Sequence, residues 1–293
     1  MNARLVLACT WFLVSSTVVP RCFGETDLAE LAESPAGVKY AYGDDPLQFG
    51  ELTLPDGPGP HPVVIFVHGG CWLAQYDLPH SRALAVALAK EGLAVWNLEY
   101  RRVGNPGGGW PGTFLDIALG ADHLVKLAAP NKLDLSRVLA SGHSAGGHLA
   151  LWLAGRHKIS TESELHSQKP LAISGVLALA PASQLDQLYE RGVCGNVVDK
   201  LIGGSPVKYP TRYDSTSPSR LAPLHVFQII LVGKSDEDWG WNGVDYAKAA
   251  REAGEKEIEF IEAPDAGHFE VIDPNSTTWP IVRNAVHRLL QND

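Results

Sequence analysis

The amino-acid sequence predicts an α/β fold with a mostly parallel, doubly wound β-sheet, and three observations support this prediction. Short apolar runs alternate with longer helix-forming stretches through most of the chain. The runs at 62–67 and 227–232 are almost wholly apolar, which is typical of strands covered on both faces of a parallel sheet. A turn sequence at 43–46 separates two further runs, which indicates an antiparallel hairpin at the start.

The individual elements follow from these patterns in chain order. The run at 257–262 alternates polar and apolar residues, as a half-buried strand does. Helices between successive strands place helical layers on both faces of the sheet. The predicted strands lie at 38–42, 47–54, 62–67, 93–99, 137–141, 175–180, 227–232 and 257–262. The predicted helices lie near 80–91, 114–128, 145–156, 242–254 and 278–290.

The segment at 184–223 interrupts this alternation with a glycine pair, several prolines and a Ser-Thr-Ser-Pro-Ser run. We interpret it as a small lid or cap inserted beside the functional site, where substrate specificity commonly resides. Residues 25–293, about 270 in number, suit one α/β domain with a large core.

The N-terminal segment has the pattern of a secretory signal peptide. A short positive start precedes an apolar stretch at 5–14, and a small-residue cleavage site follows at 22–24. The apolar stretch is too short to span a bilayer comfortably. The alternative, an N-terminal core helix, is disfavoured because the next residues are abruptly polar. We expect residues 1–24 to be removed, giving a secreted or periplasmic protein without integral membrane association.

Composition and motifs exclude several other function classes. Lysine and arginine number 24 against 33 acidic residues, without a basic run, so nucleic acid is not an expected partner. The acidic balance also argues against binding to a membrane surface. The sequence lacks metal-site motifs, and the glycines at 107–109 lack the Lys-Ser/Thr of a phosphate loop. We therefore expect no metal and no cofactor.

A Gly-His-Ser-Ala-Gly sequence at 142–146 identifies Ser144 as the candidate nucleophile. It lies between an apolar run at 138–140 and a helix-forming stretch. In such a strand–turn–helix the serine adopts a strained backbone conformation that exposes its hydroxyl, and the glycines avoid clashes with neighbouring elements. The helix start also directs free N–H groups toward the place where an oxyanion develops.

A nucleophilic serine needs a base that a carboxylate orients, and two later segments supply these groups. Asp236 lies in the loop after the strand at 227–232, and His268 lies in the loop after 257–262. Nucleophile, acid and base thus follow three separate strands, in that chain order. Asp238 is the alternative acid, but it lies further from the strand end.

A His-Gly-Gly-Cys-Trp sequence at 68–72 follows the buried strand at 62–67. This loop resembles the oxyanion motif of α/β-hydrolase esterases. Together with the serine motif, it makes the chain similar to that group, which includes hormone-sensitive-lipase-like esterases and kynurenine formamidases. The resemblance covers nearly all of the chain after the N-terminal segment. It implies an α/β-hydrolase fold whose oxyanion hole is formed by the N–H groups of Gly70, Cys71 and Ala145.

Four tryptophans fall on loops expected at the site, namely Trp72, Trp110, Trp239 and Trp241. They suggest an aromatic-walled cleft for an apolar or aromatic substrate group, while the alternative is that two or more of them pack the loops. His143, beside the nucleophile, is expected to line the floor of the site.

Two arginines after the strand at 93–99 leave two interpretations open. Arg101 and Arg102 either meet a substrate carboxylate or form structural ion pairs with Asp116 or Glu99.

Cys71 and Cys194 remain once residues 1–24 are removed. A single bridge between them would be compatible with an oxidising compartment. We expect two free thiols instead, because a crosslink at Cys71 would constrain the loop at 68–72, which we call the oxyanion loop.

Together these features predict a secreted serine hydrolase that cleaves small-molecule carboxylic esters through a covalent acyl-enzyme. The same machinery cleaves activated amides, so an arylformamidase of the kynurenine formamidase type is the alternative within the class. The predicted signal peptide argues against an arylformamidase, since the resemblance to kynurenine formamidases implies an intracellular role. A noncatalytic binding protein on a hydrolase scaffold is a third reading.

Overall fold

In the computed structural model, which describes residues 26–291, eight strands form one sheet. Each predicted strand is present within a few residues of its expected bounds. The strands are β1 (Val38–Ala41), β2 (Phe49–Thr53), β3 (His61–Val67), β4 (Ala94–Leu98), β5 (Leu133–His143), β6 (Gly175–Leu179), β7 (Phe227–Gly233) and β8 (Ile258–Ala263). The predicted signal peptide, residues 1–24, lies outside the described residues.

The strand order β1-β2-β4-β3-β5-β6-β7-β8 confirms the mostly parallel, doubly wound sheet. The β1–β2 and β2–β4 pairs are antiparallel, so the predicted hairpin forms one edge. From β4 to β8, neighbouring strands are parallel. The loops that follow the carboxyl ends of these strands therefore meet at one edge of the sheet.

Helices separate the strands, and the five predicted helical regions are all present. The α-helices are α1 (Leu28–Ala32), α2 (Arg82–Lys90), α3 (Gly112–Asp122), α4 (Leu124–Asn131), α5 (Ala145–Gly155), α6 (Leu185–Glu190), α7 (Val193–Ile202), α8 (Pro210–Thr216), α9 (Pro218–Leu221), α10 (Gly240–Glu252) and α11 (Trp279–Gln291). Short 3₁₀ turns occur at Leu78–Ser81, Arg156–Lys158 and Glu270–Ile272. Among residues 26–291, no helix has the length and apolar character needed to cross a membrane.

Strand β3 shows why the central strands are apolar throughout. Val63, Ile65 and Val67 pack into one hydrophobic cluster, while Val64 and Phe66 point the other way into a second cluster. All five side chains are essentially inaccessible to solvent. Each face of the sheet is therefore covered, and burial of both faces stabilises the platform from which the site loops extend.

The interrupted segment at 184–223 folds into the four helices α6 to α9, between β6 and β7. Its helix α7 buries Val197, Val198, Leu201 and Ile202 in the larger cluster. The segment is thus fixed to the core by apolar packing. Its role as a lid stays a prediction.

Candidate active site

Ser144 lies at the tight turn between β5 and α5. Its backbone has φ 55° and ψ −117°, a conformation that is costly for a residue with a Cβ. Two backbone hydrogen bonds hold the turn: the Ser144 N–H donates to the Leu179 carbonyl at 2.9 Å, and the Ala182 N–H donates to the Ser144 carbonyl at 3.0 Å. The surrounding fold thus maintains the strained conformation that the sequence predicts for the nucleophile.

The glycines on either side of this turn permit very close packing. A Cβ at Gly146 would lie only 2.0 Å from the Val67 carbonyl oxygen, so helix α5 could not approach β3 with any other residue there. A Cβ at Gly69 would lie 2.8 Å from the His143 carbonyl oxygen. The His-Gly-Gly loop therefore lies directly against the backbone that carries Ser144.

The acid and base candidates are hydrogen-bonded to each other. The Nδ1 atom of His268 lies 2.7 Å from Oδ2 of Asp236, and the other carboxylate oxygen of Asp236 accepts the Trp239 N–H at 3.0 Å. A carboxylate only accepts, so Nδ1 carries the proton and Nε2 is left as a possible base. Asp236 is buried, whereas Asp238 is exposed. The structure therefore places Asp236 beside His268.

Ser144 and His268 line one cavity of about 100 Å³. It opens at the carboxyl edge of the sheet, where the loops after β3, β5, β7 and β8 converge. Its other lining residues are Leu28, Gly70, Cys71, Tyr76, His80, His143, Trp239 and Phe269. The three triad candidates and the oxyanion loop are thus brought together around one small space.

Two of the three oxyanion donors expected from the resemblance, Gly70 and Cys71, line this cavity, and the third, Ala145, directly follows Ser144. Gly70 and Cys71 have positive φ values of 107° and 52°, which bend the loop sharply next to Ser144. Ala145 is the first residue of α5, where a backbone N–H has no acceptor within the helix. The arrangement offers backbone donors from two elements to an oxygen bound beside the serine.

A buried ionic network contacts His68, the first residue of the oxyanion loop. Glu99, at the end of β4, accepts hydrogen bonds from Arg102 and from the Leu78 N–H, and His68 Nε2 lies 3.1 Å from its carboxylate. Burial alone would raise the pKa of Glu99, but the charge and hydrogen bond of His68, together with Arg102, hold that pKa at about 2. Arg101 pairs with Asp116. Both arginines are therefore engaged in structural ion pairs.

His143 connects the nucleophile turn to the base. Its Nε2 atom lies 2.8 Å from the His268 carbonyl oxygen, and the two rings lie 4.6 Å apart. Burial, followed by the nearby His268, holds the pKa of His143 well below its ordinary value. A neutral His143 therefore donates from Nε2 and supports the loop that carries the base.

His80 is a cavity residue that the sequence analysis did not identify. It lies in the 3₁₀ turn Leu78–Ser81, and its ring meets His68 edge-on at 5.6 Å. Burial, followed by repulsion from His68, lowers the pKa of His80 to about 3. A lone histidine before a helix carries no pattern that would have revealed this position.

The four tryptophans do not share one cleft. Trp239 lines the cavity, but Trp72 is fully buried, with its ring 5.3 Å from His148, so its prediction as a pocket wall is wrong. The Trp72 side chain packs in the larger hydrophobic cluster beneath the loop. Trp110 lines a separate cavity. The guanidinium carbon of Arg191 lies over the ring of Trp241, 3.7 Å from the ring centroid. Only Trp239 has the position expected of a pocket residue.

Cys71 and Cys194 form a disulfide with Cα atoms 6.4 Å apart, so the prediction of two free thiols is wrong. The two residues are 123 positions apart, so only the tertiary fold brings the start of α7 next to the oxyanion loop. The bridge joins the loop that carries Gly70 and Cys71, two candidate oxyanion donors, to the inserted helical segment. Within residues 26–291, no three or more His, Cys, Asp or Glu side chains are grouped so that they could hold a metal ion.

We expect Cys194→Ser to lower the free energy of unfolding by about 2–4 kcal/mol, because the crosslink restricts a long loop in the unfolded chain. Urea unfolding of the wild type and the variant measures the difference. Dithiothreitol should destabilise the wild type to a similar extent and leave the variant unaffected. Equal unfolding midpoints for oxidised wild type and variant would show that the bridge contributes no stability.

Comparison with known proteins places this geometry in a family context. The family model BD-FAE matches residues 51–238. Over 273 residues the chain is 25% identical to Esterase LipC of Mycobacterium tuberculosis, covering 85% of this chain and 65% of LipC. It is 26% identical over 205 residues to the probable isoprenylcysteine alpha-carbonyl methylesterase ICME of Oryza sativa subsp. japonica, covering 67% of this chain and 49% of that protein.

Solved structures show the same fold. An inhibited esterase B from Lactobacillus rhamnosis superposes with a TM-score of 0.74 at 22% identity, covering 90% of both chains. A truncated carbohydrate esterase from gut microbiota superposes with a TM-score of 0.70 at 18% identity, covering 88% of this chain and 97% of that one. These likenesses confirm the α/β-hydrolase fold.

Proposed function

This chain belongs to the BD-FAE family, and we propose that it is a serine hydrolase that cleaves carboxylic esters through a covalent acyl-enzyme. The observation that carries the proposal is the convergence of Ser144, the Asp236–His268 pair and the oxyanion loop around one cavity. The similar proteins named as esterases support the same reaction class. The chain spans only about half to two thirds of those relatives.

Acylation begins when the hydroxyl of Ser144 attacks the ester carbonyl carbon while Nε2 of His268 takes the hydroxyl proton. Asp236 holds the imidazole in the required tautomer and stabilises the imidazolium that forms. Collapse of the tetrahedral intermediate breaks the bond to the alcohol, which His268 protonates as it leaves. Water, deprotonated by the same His268, then attacks the acyl carbon. Collapse of the second intermediate breaks the bond to Ser144 Oγ, which takes the proton back from His268 as the carboxylic acid leaves.

Backbone donors stabilise the charge that develops in each step. The negative oxygen of the tetrahedral intermediate accepts hydrogen bonds from the N–H groups of Gly70, Cys71 and Ala145. Donors fixed in advance in this way lower the barrier, because they need not reorient as the charge forms.

The size of the cavity indicates the kind of ester. At about 100 Å³ it is much smaller than the roughly 300–1,000 Å³ of pockets that hold drug-sized ligands. The aromatic side chains of Tyr76, Trp239 and Phe269 provide apolar walls. We infer that the preferred substrates are esters with a short apolar group on the part that enters this cavity.

Two features of the chain indicate where the enzyme acts. The predicted signal peptide at 1–24 supports export, and a disulfide such as Cys71–Cys194 is most stable in an oxidising compartment. We infer a secreted or periplasmic enzyme.

The test compares an ester with the activated amide that the same machinery could cleave. We expect kcat/KM for p-nitrophenyl acetate to exceed that for N-formylkynurenine, because the better leaving group of the ester demands less of the general acid. Steady-state kinetics on both substrates measure the ratio. A higher value for the formamide would identify an amide hydrolase, and no turnover of any ester or amide would favour a binding protein.

The pH dependence follows from the protonation states in the cavity. His268 must be neutral to accept the proton of Ser144, so activity is lost as the pH falls. The pKa of His143 lies well below its ordinary value and that of His80 is about 3, so neither of these two histidines gains a proton in the ordinary histidine range. We expect kcat/KM to fall about tenfold per pH unit on the acid side, the slope of a single protonation.

A pH–rate profile with p-nitrophenyl acetate checks this expectation. A slope of about two on the acid side would mean that a second histidine titrates with the base. A rate that climbs as the pH falls would mean that another group activates Ser144.

A further inference from the structure

The N-terminal helix α1 supplies one wall of the catalytic cavity. Leu28, its first residue, lines the cavity together with Ser144 and His268. The side chain is partly buried and packs against the hydrophobic cluster on the α2 and α11 side of the sheet. An apolar side chain from outside the sheet and its loops therefore faces the space that the substrate enters.

Hydrogen bonds fix this helix relative to the loop of the base. The N–H and hydroxyl of Thr26 donate to Oε1 of Glu270 at 3.1 and 3.3 Å, and the hydroxyl also lies 3.3 Å from Asp273. The other oxygen of the buried Glu270 accepts the Gly267 N–H at 2.7 Å. One carboxylate thus holds both the start of α1 and the turn directly before His268.

Other residues that line the cavity favour contact with an apolar chain rather than with a charged group. Tyr76 and Phe269 also line the cavity, and each side chain is 38% exposed. His80 adds a neutral ring, since its pKa is about 3. A cavity of about 100 Å³ bounded in this way has room for only a short chain unless one wall recedes.

We propose that Leu28 is a specificity-determining residue that limits the length of the apolar chain of the ester, on its acyl or its alcohol part. The inference rests on the proposed ester hydrolysis and deepens it by assigning a chain-length limit to one residue of α1. Since α1 is tied to Glu270, the wall keeps its position while the base acts.

The test changes the volume of this side chain and measures selectivity. Leu28→Ala enlarges the cavity and Leu28→Trp reduces it. Each protein is assayed with p-nitrophenyl acetate, butyrate, hexanoate and octanoate, and with methyl, butyl and hexyl acetates, so the two series separate the acyl side from the alcohol side. The readout is the ratio of kcat/KM for long and short substrates, which does not depend on the fraction of folded enzyme in the sample.

We expect Leu28→Ala to raise the hexanoate-to-acetate ratio, or the hexyl-to-methyl ratio, about tenfold or more, since a methylene that fits a pocket is worth at least about that factor. Leu28→Trp should lower the same ratio. Leu119→Ala is the matched control, because Leu119 lies on α3 with 47% of its surface exposed, and its ratios should equal those of the wild type.

Unchanged ratios in both series for both Leu28 variants, with an active wild type, would overturn the role of Leu28 while leaving ester hydrolysis intact. A wild type that turns over no ester in either series would instead contradict the proposed function itself.

Discussion

Replacing Ser144 by alanine should abolish ester hydrolysis, lowering kcat by a factor of about 10⁴ or more. The substitution removes the atom that forms the acyl-enzyme, while the oxyanion donors and the base stay in place. Steady-state kinetics with p-nitrophenyl acetate measure the loss.

Ser141→Ala is a matched control in β5, the strand that leads to the turn of Ser144. Ser141 is buried in β5, and its hydroxyl donates to the Leu177 carbonyl at 2.8 Å, away from the cavity lining. Its loss should cost about 1 kcal/mol of stability and leave kcat near the wild-type value. A Ser144→Ala enzyme that keeps more than about one hundredth of kcat would show that another group is the nucleophile.

Asp236→Asn should lower kcat by about 10³- to 10⁴-fold, whereas Asp238→Asn should change it little. Only Asp236 accepts the hydrogen bond from Nδ1 of His268, and an amide there would favour the wrong tautomer of the imidazole. The side chain of Asp238 is exposed, and its role in the structure is a backbone one, since its carbonyl accepts from the indole of Trp241 at 2.9 Å.

The two variants are compared at one pH with the same ester, and their thermal unfolding is measured in parallel. Equal stabilities with unequal rates would locate the effect in the reaction. A larger loss of kcat for Asp238→Asn than for Asp236→Asn would overturn the assignment of the acid.

The sheet could be predicted from sequence because burial on two faces leaves a direct signature. Strand β3 is apolar throughout since its alternate side chains enter two different clusters. The start of α5 could be predicted as well, because a Cβ at Gly146, two residues after Ser144, would lie only 2.0 Å from the Val67 carbonyl oxygen. These features depend on local patterns, which a sequence displays.

Other features depend on which distant segments pack together, and the sequence carries no comparable signal for them. The Cys71–Cys194 bridge joins residues 123 positions apart, which only the tertiary fold brings together. Trp72 falls on a loop expected at the site, yet its side chain is fully buried in the larger hydrophobic cluster. Leu28 and His80 reach the cavity from elements with no catalytic motif.

The most direct test of the account is to identify the residue that an ester-like organophosphonate modifies. The enzyme is treated with a p-nitrophenyl alkylphosphonate, and the adduct is measured by intact mass and mapped by peptide sequencing. We expect one phosphonate per chain, attached to Ser144, with activity lost in proportion to labelling and no adduct on the Ser144→Ala protein. Stoichiometric, inactivating labelling at any other residue would contradict it.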